Sequence, residues 1–231
     1  MPKRCIVVVK EKLYVYHHLG LGDHVCLNGM VRKLAEKNDI ALFCKIGNLD
    51  AVRFMYRDAD NIDLVPILNE EEVADRVAGK FLKIGWKEAF AIGRANPNMT
   101  CDEWFYTQAG IDYSERWSSF YIQRDLVEEE RVYKKLNPSN EPYVFVHDDQ
   151  DRGYEIDIDA PKIVRNDMTE NLFYMGLVIE RAEEVHLMES SLKCYVEHLE
   201  PIGELFFHNI REYIFPVLTH RSTRHKWTIR G

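Results

Sequence analysis

The chain has 231 residues, 46% of them hydrophobic and 29% charged, a composition that supports a folded core and excludes disordered, collagen-like or low-complexity classes. Its formal charge of −8, from 30 basic and 38 acidic residues, would repel a phosphate backbone and excludes general nucleic-acid binding by counterion release. Five cysteines (Cys5, Cys26, Cys44, Cys101, Cys194) stand singly, with no C-x-x-C pair, which indicates reduced thiols in a reducing compartment and no zinc site.

Residues 5–9 and 13–17 are β-branched or aromatic and read as two strands pairing as a hairpin across 10–12. The apolar run at the N-terminus meets Lys10 too soon for a signal peptide. No apolar stretch approaches the roughly 20 residues that span a bilayer, so a cytoplasmic protein is expected. The second strand enters the loop His17-His18-Leu19-Gly20-Leu21-Gly22-Asp23-His24, and residues 25–37 then carry apolar side chains at helical spacing. Strands at 40–44, 62–67 and 81–84 alternate with helices at 46–57 and 70–77, the signature of a parallel sheet covered on both faces. Aromatic residues between 93 and 119 suggest packed helical turns, and 125–136 reads as a helix. Asn137-Pro138-Ser139-Asn140-Glu141-Pro142 breaks the chain there. Alternation restarts with strands at 143–147, 162–164, 185–188 and 204–208 and helices at 171–182 and 190–199, giving two small α/β halves, 1–137 and 138–231. The basic stretch 220–226 reads as a solvated tail.

Three segments could hold chemistry. In the first loop Gly20 and Gly22 permit tight turns before a helix N-terminus, which favours phosphate or carboxylate; a dinucleotide fingerprint would want glycine where Val25 stands. Asp23 reads either as the helix N-cap or as a general base, with His18 and His24 as alternative bases or orienters. Glu189-Ser190-Ser191 follows the strand at 185–188. It reads either as a helix cap by Ser190 or as a diphosphate cradle, and Glu189 with Glu197 has the Glu-x7-Glu spacing of some sugar transferases. His147-Asp148-Asp149-Gln150-Asp151-Arg152-Gly153 is a solvated loop, an anion site using Arg152 and His147, or a divalent-metal loop, with His208 and Arg211 placed to close the same pocket.

Taken together, these segments resemble heptosyltransferase-like GT-B glycosyltransferases and small polysaccharide-associated transferases. The resemblance is carried by Gly22-Asp23 at the first helix, by the strand and hydroxyl turn at 185–191, and by Phe207-His208-x-x-Arg211 with the distal Trp227. It implies an α/β fold of two Rossmann-like halves facing a cleft. The implied activity is metal-independent sugar transfer from a nucleotide-sugar to a glycan or other hydroxyl acceptor, with no cofactor and a role in polysaccharide biosynthesis. By the same resemblance, Asp23 would be the base, while Gly20, Gly22, His147, Arg152, Glu189, Ser190, Ser191, His208 and Arg211 would hold the donor. The rival readings are a nicotinamide-dependent oxidoreductase using Gly20 and Gly22, and a non-catalytic nucleotide- or glycan-binding protein.

Overall fold

A computed structural model describes residues 10–17, 20–211 and 223–230. The first sheet contains β1 (Glu11–Tyr16), β2 (Asn38–Lys45), β3 (Ile62–Ile67) and β4 (Lys80–Lys83) in the order β3-β2-β1-β4, all parallel. β2 is an unbroken apolar run, with Ile40 to Cys44 buried on both faces as an inner parallel strand requires. Pro66 lies in the edge strand β3, where its missing N–H costs the ladder least. Over Leu13 to Val15, β1 is paired on both sides, by β2 and β4. That leaves no free edge for the hairpin expected from residues 5–9, which themselves lie outside the described residues.

Helices follow the strands. α1 (Leu21–Cys26) and α2 (Asn28–Ala35) replace the single helix expected over 25–37, starting four residues earlier and bending at Leu27. The cause of the bend is Tyr106. Its hydroxyl donates to the Cys26 carbonyl (3.2 Å) and accepts from the Met30 amide (3.1 Å), standing between two groups that would otherwise bond each other in a continuous helix. α3 (Leu49–Met55) and α4 (Val73–Arg76) complete this sheet's connections. α5 (Trp86–Ala95), α6 (Cys101–Ala109) and α7 (Glu115–Ser118) then form from the aromatic stretch. A capping box between Thr100 and Glu103 starts α6, and Gly110 ends it in the left-handed conformation (φ 64°). Buried behind α1 is the ion pair of Asp102 and Arg116, the latter also 3.7 Å from the Cys26 sulfur.

The second sheet holds β5 (Val144–His147), β6 (Ile163–Arg165), β7 (Glu184–Met188), β8 (Glu204–His208) and β9 (Trp227–Arg230) in the order β6-β5-β7-β8-β9, again all parallel. α8 (Leu126–Leu136), α9 (Gly176–Glu180) and α10 (Ser191–Val196) accompany it, with α8 packed on α9. The strand β9 was not expected. Of the basic stretch read as solvated, 220–222 lie outside the described residues and Arg224 and Lys226 are exposed, while the backbone amides of Arg224 and His225 (2.7 and 3.3 Å) and the Trp227 indole (2.8 Å) all donate to the buried Glu197 carboxylate. One apolar core runs through both sheets' helices: Phe54 on α3 stacks on Phe173 with ring centroids 5.6 Å apart. The expected α/β architecture of two Rossmann-like halves is the observed one.

Candidate functional site

The first loop is built around backbone proximity. Gly20, in extended conformation, caps α1, so Asp23 is the third helical residue and not the cap. Its carboxylate folds back toward Gly20, where an added Cβ would lie 2.6 Å from Oδ2. A side chain at position 20 would therefore displace the aspartate. At Gly22 a Cβ would touch the Ser191 Cα and the Cys194 sulfur at 3.5 Å, because α1 lies directly on α10. The two loops singled out at 20–23 and 189–191 thus meet. His24 is fully buried, its ring edge-on to that of His17 with centroids 4.2 Å apart. Burial, and then the neighbouring His17, hold its pKa well below the ordinary histidine value, so it is neutral and enclosed. His18 lies outside the described residues.

At the end of β7, Ser190 is the N-cap of α10, its oxygen accepting from the Lys193 amide at 3.2 Å, so its own O–H remains available to a ligand. Glu189 is buried, and its carbonyl accepts from Arg211 Nη1 at 3.2 Å. Glu197 is fully buried, caps the other end of α10, and is bonded to the β9 segment and to Lys193 (3.4 Å). The Glu-x7-Glu spacing therefore does not place two carboxylates at one ligand. His208, at the end of β8, bonds His186 (2.9 Å), which bonds Glu184 (2.8 Å). Burial, and then the charges of His186 and Arg230, push the His208 pKa down to about 4.

The loop after β5 divides. His147 is buried, with Nδ1 2.7 Å from Asn166 Oδ1. Asp148 is engaged by Arg165 and by the Ile156 amide (3.0 Å). Arg152 sits in a 3-10 turn closed by Gly153 (φ 79°), two-thirds exposed and 3.4 Å from Asp149. It does not line the cavity described next.

That cavity, about 450 Å³, lies where the halves meet. Leu21, Gly47, Asp50 and Ala51 contribute the wall from the first half. His147, residues 166–172, Met175, Ser191 and Leu192 contribute that of the second. Of the residues singled out from the sequence, His147 and Ser191 line it; Asp23, Gly22 and Ser190 stand beside it in the adjoining helix turns. Sequence reasoning missed 47–51 and 166–171. The available signal was their position just beyond the carboxyl ends of parallel strands, where ligands of such sheets bind. Among the described residues the wall carries Asp50, Asp167 and Glu170 and no lysine or arginine. From α8, Lys135 bonds Asp167 (2.7 Å) and Glu170 (2.8 Å), and Arg131 bonds Glu170 (2.6 Å). These bonds, led by Lys135 for Asp167 and by Arg131 for Glu170, lower both carboxyl pKa values to about 2. Among the described residues no group of three or more histidines, cysteines, aspartates or glutamates is arranged to hold a metal ion, and no helix is long and apolar enough to cross a membrane.

No known protein family and no curated protein sequence matches the chain. Among solved structures, a glycosyl transferase of family 9 from Veillonella parvula matches with a TM-score of 0.56 at 8% identity, over 95% of this chain and 87% of that one. The iron-containing dodecameric glycosyltransferase TibC from enterotoxigenic E. coli matches with a TM-score of 0.51 at 10% identity, over 90% of this chain and 63% of that one. At such identities the likeness bears on architecture. The chain has the paired Rossmann-like α/β fold seen in these glycosyltransferases.

Proposed function

We propose that the protein is a glycosyltransferase that moves a sugar from a nucleotide-sugar to a hydroxyl acceptor without a metal, in the cleft between 1–137 and 138–231. The observation that carries this reading is the meeting of α1 and α10, which brings the Asp23 turn and the Ser190-Ser191 turn to one edge of the cavity. Asp23 accepts the proton of the acceptor hydroxyl as its oxygen attacks the anomeric carbon, and the bond from that carbon to the diphosphate breaks. The departing charge is received by the Ser190 and Ser191 hydroxyls and the amides that open α10. Arg211, held against the Glu189 carbonyl, supplies the cation at this edge, while Arg152 is turned to Asp149 and serves less well. Glu189 and His208 complete the donor side, and Gly20 and Gly22 give the close backbone approach. Four described cysteines, Cys26, Cys44, Cys101 and Cys194, are buried, which suits a reducing cytoplasm, and the acceptor is a growing polysaccharide or other glycan.

Thermal-shift screening with nucleoside diphosphates, followed by turnover assays of the matching nucleotide-sugars, tests the proposal. Stabilisation by a nucleoside diphosphate with release of that diphosphate from its sugar supports it; stabilisation with no turnover across acceptors contradicts it. That second result would favour a non-catalytic glycan- or nucleotide-binding protein, a reading supported by the absence of lysine and arginine from the cavity wall among the described residues. A nicotinamide oxidoreductase has less support, since Val25 occupies the third glycine position of the fingerprint.

A further inference from the structure

The cavity wall has a chemical character of its own. Among the described residues its formally charged groups are all carboxylates, and each is already bonded by a cation: Asp50 by Arg53 (2.8 Å), Asp167 by Lys135, and Glu170 by Arg131 and Lys135. A phosphate placed there would find, among the described residues of the wall, no cation left to pair with it. Into the same wall comes His147, 7% exposed, and among the described residues Nδ1 is its one hydrogen-bonded ring atom. The bond fixes the tautomer. Asn166 Nδ2 faces the Met168 sulfur at 2.9 Å, an atom that only accepts, so Oδ1 is the atom turned to the histidine. Nδ1 therefore carries the proton and donates, which leaves Nε2 with a lone pair.

From this geometry we infer that the cavity takes an uncharged polyhydroxyl unit, a neutral sugar, and that His147 Nε2 accepts a hydrogen bond from one of its hydroxyls. Asn166 is the positioning residue that sets the tautomer. The inference deepens the transferase reading and rests on it for the origin of the sugar, which is either the donor's own sugar or the acceptor glycan. It also changes the role of His147: an imidazole with an unprotonated Nε2 receives a hydroxyl proton and does not donate to a diphosphate.

Around His147, Asp148 and Asp149 from the following loop favour the imidazolium, Arg165 engages Asp148, and Asp50, Asp167 and Glu170 face it across the cavity. Burial outweighs the first two and places its pKa below the ordinary value, so the ring is neutral at pH 7.

The test titrates the whole protein with methyl glycosides of common hexoses and with the matching hexose 6-phosphates, while long-range ¹H–¹⁵N spectra follow the His147 ring. The expected result is an Nδ1-protonated ring perturbed by at least one methyl glycoside, with the 6-phosphate binding at least tenfold more weakly. Binding should fall as the pH is lowered through the depressed His147 pKa, when protonation removes the acceptor. His147→Phe should lose at least tenfold in affinity. Asn166→Asp, which places a carboxylate on Nδ1–H, should move the acid limb up by about one pH unit, a shift that a merely structural residue would not cause. Preference for the 6-phosphates, a flat pH profile, or no glycoside perturbing His147 overturns the inference. Displacement of the glycoside by a turned-over nucleotide-sugar assigns the pocket to the donor sugar, and simultaneous binding assigns it to the acceptor. Turnover of nucleotide-sugars with no glycoside response sinks the pocket alone; glycoside binding with this pH profile and no turnover sinks the transferase reading alone.

Discussion

Asp23 and Arg211 owe their places to what surrounds them. Asp23 occupies the third position of α1, in the positive end of the helix, with Gly20 leaving the room that its carboxylate fills. On the proposed donor side two arginines are candidates for the same role, and their surroundings separate them. Arg211 is anchored on the carbonyl beside Ser190, whereas Arg152 is solvent-exposed and occupied with Asp149. Arg211→Ala is therefore expected to weaken nucleoside diphosphate binding about tenfold, the scale of one charge-assisted hydrogen bond, and Arg152→Ala less than threefold. Calorimetric titration of both variants checks the order; a larger loss at Arg152 would return the phosphate to the loop after β5. The sequence places both arginines near strand ends. Which one turns inward depends on a 3-10 turn at 150–152 and its closing Gly153, details too local for composition or periodicity to carry.

At the scale of elements, the bend between α1 and α2 sets where Asp23 points. Apolar spacing makes a helix legible over 25–37, but the wedge that splits it is a tyrosine hydroxyl from a helix 80 residues away in sequence. Nothing local to the segment encodes it. Tyr106→Phe removes the inserted hydroxyl and leaves the Cys26 carbonyl and Met30 amide to find each other or stay unpaired. A loss of about 1–2 kcal/mol in urea denaturation is expected, together with a drop in turnover as α1 straightens; unchanged stability and turnover would show that the wedge is dispensable. The strands tell the opposite story. β2 and β5 are uninterrupted apolar runs and could be read directly, since inner parallel strands demand little more than burial on both faces. β9 escaped because its exposed Thr228, Ile229 and Arg230 follow a basic stretch, and the buried Glu197 at the end of α10, which bonds its approach, lies about 30 residues earlier in the sequence. The polar segment 166–171 escaped for a related reason: its role comes from the cavity it borders, and its composition is that of any surface loop.

For the molecule as a whole, the two sheets share a core, and the cavity is the gap left where their strand ends face one another. Several histidines are buried or half-buried within this body. His24, His147, His186 and His208 all have pKa values depressed first by burial. The unfolded chain binds protons at these sites near pH 6.5 while the folded chain does not, so their contribution to stability is complete above about pH 6.5 and is lost as pH falls toward the folded values. For fully buried His24 the slope is about 1.4 kcal/mol per pH unit in that window. Asp167 and Glu170, lowered to about 2, add a loss of the same sign below about pH 4.5. Urea midpoints are accordingly expected to fall steadily from pH 7 to pH 5; a midpoint that is flat or rises over that interval would mean that these rings are solvated.

The proposed transfer reaction joins all three scales, because it would draw on the Asp23 carboxylate, the bent α1 and the cavity between the halves. Its most direct test is turnover of a nucleotide-sugar by the parent protein and by Asp23→Asn, with nucleoside diphosphate affinity measured alongside. The account predicts that the parent releases nucleoside diphosphate in the presence of a hydroxyl acceptor. The variant should bind the diphosphate within about threefold of the parent yet turn over about 10²–10⁴-fold more slowly. Equal turnover by the two proteins would contradict it.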